Sequence, residues 1–136
     1  MNTLERDTSI FYHDIENLDA GIEGLMCKPE ERYRVENYLR AQQRSGYING
    51  LIGETESIAV LKNIWVEEEE QGNGLGTELV ESFLDEASDR GMDRIILIAD
   101  TEEDNEFNLI EWYESFGFEM ITTLKEFPLM MKTVDE

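Results

Sequence analysis

A glycine-rich turn between a strand and a helix is the part of the sequence whose backbone could bind a charged ligand. The turn reads Gln71-Gly72-Asn73-Gly74-Leu75-Gly76, and its three glycines leave a row of backbone N–H groups uncovered by side chains. The first amides of a helix have no intrahelical acceptor, and the helix dipole is positive there. The pattern therefore predicts an anion site at the turn, with a phosphate as its natural ligand.

Two regular elements must position this turn. Before it, Ile58–Val66 is a β-branched and nearly continuous apolar run, which predicts a central strand buried on both faces or nearly so. After it, apolar residues recur three and four apart at Leu79, Val80, Phe83, Leu84 and Ala87. This spacing predicts an amphipathic helix that stops at Gly91. A buried strand at 94–99 follows, so the three elements form a βαβ-like unit with parallel strands.

The residues before the central strand predict four further segments. Residues 9–15 form a plausible first strand. Apolar residues at helical spacing predict a short helix next: Leu18, Ile22 and Leu25 or Met26. Pro29 then opens a longer helix that should run to about Gln43. Residues 47–56 alternate apolar side chains with turn signals, which predicts one or two short antiparallel strands.

After the βαβ-like unit, the sequence predicts a second amphipathic helix from about Glu106 to Phe116, with Gly117 as its stop. Residues 118–124 and 129–134 then predict a terminal hairpin. No repeat, low-complexity tract or linker interrupts the sequence. A chain of 136 residues can bury a core without metal or disulfide. We therefore expect residues 1–136 to form a single domain of the α/β class.

The chain is strongly acidic. It has 32 acidic and 11 basic residues, for a formal net charge of −21. Such a field repels phosphate backbones and anionic lipids, so nucleic acids and membranes are poor partners. A cationic small molecule or a basic protein would be attracted, although an acidic surface can also serve solubility alone. No signal peptide or long apolar run is visible, which predicts a cytoplasmic protein.

Two residue types that often carry chemistry occur once each. His13 falls in or at the end of the first strand, where a hydrogen-bonded structural role is the commoner one. Cys27 has no second cysteine to bond with, and a small packed side chain is a commoner interpretation than a reactive thiol. Cysteine and histidine form no cluster, so we expect no structural zinc site.

Two motifs, in this order, resemble those of the GNAT superfamily of N-acetyltransferases. Gln71-x-x-Gly74-x-Gly76, which opens a helix after a strand ending at Val66, resembles motif A. Tyr113 followed by Gly117-Phe118 resembles motif B. The resemblance covers residues 58–134. It implies the GNAT fold, an α/β architecture with a mixed central sheet of about six to seven strands, helices on both faces, and two parallel strands splayed at the cofactor site.

The resemblance implies acetyl-CoA as the co-substrate and no metal. Family members hold its pyrophosphate on the amides of the glycine turn, which here comprises Gln71, Gly72, Asn73, Gly74, Leu75, Gly76 and Thr77. The splayed end of the central strand corresponds to Ile64, Trp65 and Val66, whose main chain would pair with the pantetheine arm. Asn105 lies near the position of a CoA-contacting asparagine in the family, with Asn108 as a rival.

Tyr113 corresponds to the motif B tyrosine, whose hydroxyl is usually the general acid beside the CoA sulfur. When an amine attacks the thioester carbonyl, negative charge develops on the departing sulfur. A positioned phenol can donate a hydrogen bond or a proton to it. A purely structural role, as an aromatic side chain on the buried face of a helix, stays open for the same residue.

Three features depart from the family pattern. Some relatives carry a glutamate base eleven residues before the motif A glutamine, and that position is Val60 here. The proton of the amine would then go to another group: Asp100, His13, Glu67 or an ordered water. The glycine turn lacks the lysine or arginine that many relatives place there. The residues before 58, where an acceptor would bind, show no recognisable motif.

A dinucleotide-binding Rossmann unit is an alternative interpretation of the strand, glycine turn and helix. Against it, the glycines follow G-x-G-x-G instead of G-x-G-x-x-G, and four consecutive glutamates separate the strand from the turn. A P-loop is excluded, because no glycine–lysine pair followed by serine or threonine occurs.

Two classes of function stay open. The first is transfer of an acetyl group from acetyl-CoA to a primary amine of a cationic acceptor, either a small molecule or a protein. The second is a GNAT-fold protein without turnover, which binds or regulates a basic partner. Retention of Gln71, Gly74, Gly76 and Tyr113 favours the first class. A homodimer is compatible with either.

Overall fold

The computed structural model describes residues 10–15, 20–42, 50, 52–66, 74–99, 109–121 and 128–134. The first half of the chain contributes β1 (Ile10–Asp14), β2 (Ala20–Cys27), a 3₁₀ turn (Pro29–Glu31), α1 (Arg32–Ala41) and β3 (Ile58–Val66). The second half contributes α2 (Leu75–Asp89), β4 (Arg94–Ile98), α3 (Leu109–Glu114), β5 (Glu119–Met120) and β6 (Leu129–Thr133).

The described strands form one mixed sheet. Its six strands lie in the order β1-β2-β3-β4-β6-β5. The pair β3 and β4 is parallel, as predicted for the βαβ-like unit, and every other neighbouring pair is antiparallel. The last strand, β6, lies between β4 and β5 and pairs with both. The predicted terminal hairpin is thus present, with its second strand inside the sheet.

Helices cover both faces of this sheet, which confirms the expected architecture. On one face, α2 and α3 contribute the buried side chains Leu79, Phe83 and Tyr113. On the other face, α1 contributes Val35 and Leu39. We call these the α2 face and the α1 face. Burying apolar side chains on both faces of a sheet gives two layers of core, which is the usual way that a short α/β chain becomes stable.

The central strand and the helix after it begin and end close to where the sequence predicts them. Strand β3 has the predicted limits, but only its first four residues are fully buried on both faces. Helix α2 ends at Asp89, and Gly91 follows with φ of 76°, a left-handed conformation that glycine adopts without strain. The helix opened by Pro29 and the strand predicted at 94–99 are also confirmed.

The short helix predicted around Ile22 is wrong, because these residues form strand β2. Seven of its eight residues are fully buried, so their apolar character reflects burial on both faces and not a helical stripe. Gly24 is a glycine for a packing reason. A Cβ there would meet the carbonyl oxygen of Val60 on the neighbouring strand and would lie 2.8 Å from Cε1 of Phe83. Such contacts are made across the sheet and leave no local sequence signal.

Other predicted segments fall partly outside the described residues. The part of 47–56 that the structure describes forms bends and turns without a strand, and the predicted start of the second helix at Glu106 lies outside. Cys27 is buried, in keeping with a packed side chain, and His13 is exposed. No helix in the described part of the chain is long and apolar enough to cross a membrane.

The packing at Gly24 gives a stability prediction. Gly24→Ala should lower the free energy of unfolding by about 2–3 kcal/mol, because the new methyl group overlaps backbone atoms that cannot move aside. Urea unfolding would show a lower midpoint. Gly53→Ala is the matched control, since its nearest contact would be 3.5 Å, an ordinary van der Waals distance. Equal midpoints for the two variants would contradict the described β2–β3 contact.

Candidate active site

Among the described residues, the parallel pairing of β3 with β4 ends at Leu61, although β4 continues to pair with β6 as far as Ile98. The four β3 residues from Asn63 to Val66 keep their pairing with β2 on the other side. The two parallel strands therefore begin to separate here, and the positions that would lie opposite the end of β3 fall after Ala99, outside the described residues. This end of β3 contains Ile64, Trp65 and Val66, whose role at the cofactor site stays a prediction.

The start of α2 offers amides that have no acceptor within the helix. Gly74 lies just before the helix with φ of 83° and has no side-chain cap, and beyond its chain neighbours no atom of the described residues lies within 4 Å of where its Cβ would be. The first intrahelical bond runs from the amide of Glu78 to the carbonyl of Gly74, at 3.0 Å. The amides of Leu75, Gly76 and Thr77 thus precede the helical ladder. An anionic group fits here on the helix dipole, with room to approach the backbone.

The end of β3, the start of α2 and helix α3 converge at Gly76. A Cβ on Gly76 would lie 3.4 Å from Cζ2 of Trp112 and 4.0 Å from Cγ2 of Val66. Trp112 also contacts the rings of Tyr113 and Phe116, with ring centres 5.1 Å apart in both pairs. The structure thus brings the two sequence motifs together. Trp112 was not predicted as a site residue. Its position beside Tyr113 and about one helical turn before Phe116 could have indicated that it lies at the site.

Tyr113 is buried on α3, with 5% of its surface exposed. Its ring contacts Phe118 edge-on, with centres 5.9 Å apart. Burial raises the pKa of Tyr113 to about 12, and the nearby phenol of Tyr38 adds to the rise. Burial also raises the pKa of Tyr38. Both phenols are therefore protonated, uncharged hydrogen-bond donors at neutral pH.

Tyr38 approaches from α1, on the opposite face from Tyr113. The ammonium of Lys62 lies 5.9 Å from the centre of the Tyr38 ring. Lys62 is the first β3 residue beyond the segment paired with β4. This contact places Tyr38 beside the point where the two parallel strands begin to separate. Two phenols thus flank the split, one from each face of the sheet.

The remaining predicted site residues lie where the structure gives no description. Gln71, Gly72, Asn73 and Asn105 are all outside the described residues. Their roles stay predictions, as do those of two candidate bases, Glu67 and Asp100. Among the residues that the structure does describe, no three His, Cys, Asp or Glu side chains are grouped as metal ligands.

Two positions bear on the base that would accept the amine proton. Position 60, where some relatives carry a glutamate, holds the fully buried Val60 and supplies no base. His13 pairs with Ile22, which pairs in turn with Ile64. Two strand spacings, roughly 10 Å, therefore separate the backbone of His13 from that of β3. The role of His13 as a base stays a prediction.

Known proteins share this fold. A model of the acetyltransferase (GNAT) family matches residues 2–118, whereas no curated protein sequence matches the chain. The PaiA N-acetyltransferase of Thermoplasma acidophilum in complex with coenzyme A is 13% identical with a TM-score of 0.60, covering 92% of this chain and 61% of that one. Tetrahymena Gcn5 is 18% identical with a TM-score of 0.58, covering 95% and 71%.

The NatC complex bound to Gag peptide and CoA is another similar structure. It is 16% identical with a TM-score of 0.56, and the match covers 85% of this chain and 61% of that one. The chain spans about 61% of the PaiA and NatC proteins that it matches, so these two relatives are longer. At these identities the likeness shows the fold. Since the family model matches most of the chain, the protein belongs to the GNAT acetyltransferase family.

Proposed function

We propose that this protein transfers an acetyl group from acetyl-CoA to a primary amine by direct attack, with Tyr113 as the acid on the departing sulfur. The observation that carries the proposal is the convergence at Gly76. There the end of β3 meets the first turn of α2 and the helix that holds the buried Tyr113 phenol. Coenzyme A is present in two of the similar solved structures, which supports the choice of co-substrate.

The two binding elements suit two chemically different parts of acetyl-CoA. The amides of Leu75, Gly76 and Thr77 would hold the diphosphate, and the space over Gly74 lets it approach the backbone. The backbone groups at the end of β3 would pair with the amides of the pantetheine arm, as an added strand does at a sheet edge. Gln71, Gly72 and Asn73 complete the proposed turn.

Acetyl-CoA supplies a thioester whose carbonyl carbon accepts the amine and whose sulfur leaves. The nitrogen–carbon bond forms, the carbon–sulfur bond breaks with its electron pair on sulfur, and the amine gives up one proton. A backbone N–H at the end of β3 would stabilise the charge that develops on the carbonyl oxygen. The amine must be neutral to attack, so a base or an ordered water has to take its proton first.

The raised pKa defines how Tyr113 would act. A free thiol has a pKa of ~8.5, whereas that of Tyr113 is about 12. The phenol is the weaker acid, so its chief contribution is a hydrogen bond donated to the sulfur as charge develops there. Such a donor is worth more in a site without water than in solution.

We further propose that the acceptor is cationic, that the protein acts in the cytoplasm, and that neither nucleic acid nor membrane is its partner. The net charge of −21 supports the choice of acceptor and the exclusion of nucleic acids and anionic membranes, since it attracts ammonium groups and repels phosphates. The alternative function, a GNAT-fold protein without turnover that binds a basic partner, predicts the same attraction but no acetyl transfer.

Thermal unfolding tests the co-substrate. At about 100 times its Kd, acetyl-CoA should raise the Tm by roughly 5–10 °C, because it binds only the folded chain. NAD at the same concentration is the control and should give no shift. A shift with NAD alone would instead support a dinucleotide site. No shift with millimolar acetyl-CoA would contradict the proposal and favour the alternative function. Release of free thiol in the presence of a panel of amines then tests turnover.

A further inference from the structure

The α1 face of the sheet carries a row of polar and aromatic side chains beyond the part that α1 covers. Tyr12 on β1 pairs directly with Glu23 on β2, and Glu23 pairs directly with Asn63 on β3. Directly paired residues point to the same face of a sheet, with Cβ atoms about 5 Å apart. Tyr12 is 59% exposed, Asn63 is exposed, and Glu23 is half-buried between them.

Trp65 extends this row to the splayed end of β3. It pairs with Gly21, and a Cβ on Gly21 would lie 2.9 Å from Cε2 of Trp65. The indole ring therefore occupies the space beside the glycine that the side chain of any other residue would fill. The rings of Tyr12 and Trp65 are 6.0 Å apart and tilted by 41°. Glu23 lies two residues from Gly21 on the same strand face, directly opposite Tyr12 and diagonal to Trp65, so its carboxylate is within reach of both rings.

Two tilted aromatic rings with a carboxylate beside them suit a positively charged ligand. The face of an aromatic ring attracts a cation, and a half-buried carboxylate adds a charge partner that is screened less than at a fully exposed site. The cation on the neighbouring residue, Lys62, lies over the Tyr38 ring instead. The whole chain adds its net charge of −21. Charge and shape therefore favour the same class of occupant, an alkylammonium group.

We infer that Tyr12, Glu23 and Trp65 form a binding site for an ammonium group of the acceptor other than the one that reacts. This inference rests on the proposed function, because it places the reacting amine at the splayed edge of β3. Glu23 lies one strand spacing, about 5 Å, from β3. The acceptor is then an aliphatic diamine or polyamine, whose second charge reaches Glu23 across a short alkyl chain.

Nuclear magnetic resonance tests the site without turnover. The probe is tetramethylammonium, which cannot be acetylated, and its neutral counterpart is tert-butanol. The chain has two tryptophans, Trp65 and Trp112, so their two indole N–H signals report on this face and on the glycine turn separately. At constant ionic strength, tetramethylammonium should shift the Trp65 signal in a saturable way and leave the Trp112 signal in place. A Trp65→Phe spectrum assigns the two signals.

Matched variants distinguish binding at this site from attraction by the net charge of the whole chain. Tyr12→Leu, which keeps an apolar side chain, and Glu23→Gln should each weaken binding of the probe by about two- to fivefold. Glu81→Gln removes the same charge from an exposed position on α2, on the other face of the sheet. It should leave the affinity unchanged. Circular dichroism checks that each variant is folded.

Three results would overturn the inference: an unmoved Trp65 signal, an equal shift with tert-butanol, or equal weakening by Glu81→Gln and Glu23→Gln. The tetramethylammonium binding experiment needs no acetyl-CoA, so its result does not depend on whether the protein transfers acetyl groups. Once transfer is measured, Tyr12→Leu should raise the KM for 1,4-diaminobutane by about two- to fivefold and leave kcat and the KM for 1-aminobutane unchanged. An equal rise for both amines would contradict a second charge site.

Discussion

Tyr113→Phe should lower kcat/KM for acetyl transfer by about 10²- to 10⁴-fold, the range expected for loss of a positioned acid. The variant removes one hydroxyl and keeps the aromatic ring that packs against Phe118. Binding of acetyl-CoA should therefore be retained, and the loss should fall on kcat. Thiol release measures the rate and thermal shift measures binding.

Tyr33→Phe is the matched control for this variant. It makes the same chemical change on α1, where the ring is 56% exposed, and it should keep the wild-type rate. Full activity of Tyr113→Phe at every pH would show that the phenol takes no part in the reaction. Loss of acetyl-CoA binding in the variant would instead assign Tyr113 a structural role.

The pH dependence follows from the same residue. Because the pKa of Tyr113 is raised to about 12, the phenol keeps its proton throughout the range in which the protein would be assayed. The rate should therefore rise with pH as more of the amine loses its proton, whose pKa is ~10.4 in a free alkylamine. No decline should appear between neutral pH and about pH 10. A falling limb near neutrality would show that another group is the acid.

Gly74→Glu should reduce the affinity for acetyl-CoA by at least roughly 100-fold. The substitution places a carboxylate in the open space beside the free amides of α2, where a diphosphate would otherwise lie. Two like charges in direct contact repel each other by several kcal/mol in a partly dry site. The residue also has a φ of 83°, so any side chain adds backbone strain of about 1–2 kcal/mol. Calorimetric titration measures the affinity.

Gly50→Glu controls for strain and charge. Gly50 has the same φ of 83°, and no atom of the described residues beyond its chain neighbours lies within 4 Å of a Cβ position there. This variant should lose a similar amount of stability and gain the same charge, yet bind acetyl-CoA as tightly as the wild type. If both variants bind the cofactor normally, the diphosphate does not lie on the turn that ends at Gly74.

Local patterns predict the parts of the fold that local forces determine. Strand β3 and helix α2 were predictable because a β-branched apolar run and a glycine stop each act within a few residues. Strand β2 was not predictable, because its glycines are required by close contacts with Trp65, Val60 and Phe83, which are distant in the sequence. Helical spacing of apolar residues is ambiguous when a segment is buried on both faces.

The residues of the candidate site also differ in whether a local sequence pattern predicts them. Gly74 and Tyr113 could be found from motifs, since a free helix end and a buried aromatic each leave a short sequence signature. The contact between Trp112 and Gly76 could not, because it depends on how two helices meet. The row formed by Tyr12, Glu23 and Asn63 depends on the register of three strands. A shift of one residue in either pairing would turn those side chains to the opposite face.

The position of β6 has a consequence for how the chain matures. Strands β4 and β5 each hydrogen-bond to β6 and not to each other. During synthesis, residues 129–133 leave the ribosome after every other strand of the sheet. Until then the parallel strand β4 has an open edge, and β5 has no neighbour. The nascent protein is therefore exposed to mispairing with other extended chains until residues 129–133 emerge, and chaperone dependence should concentrate in that interval.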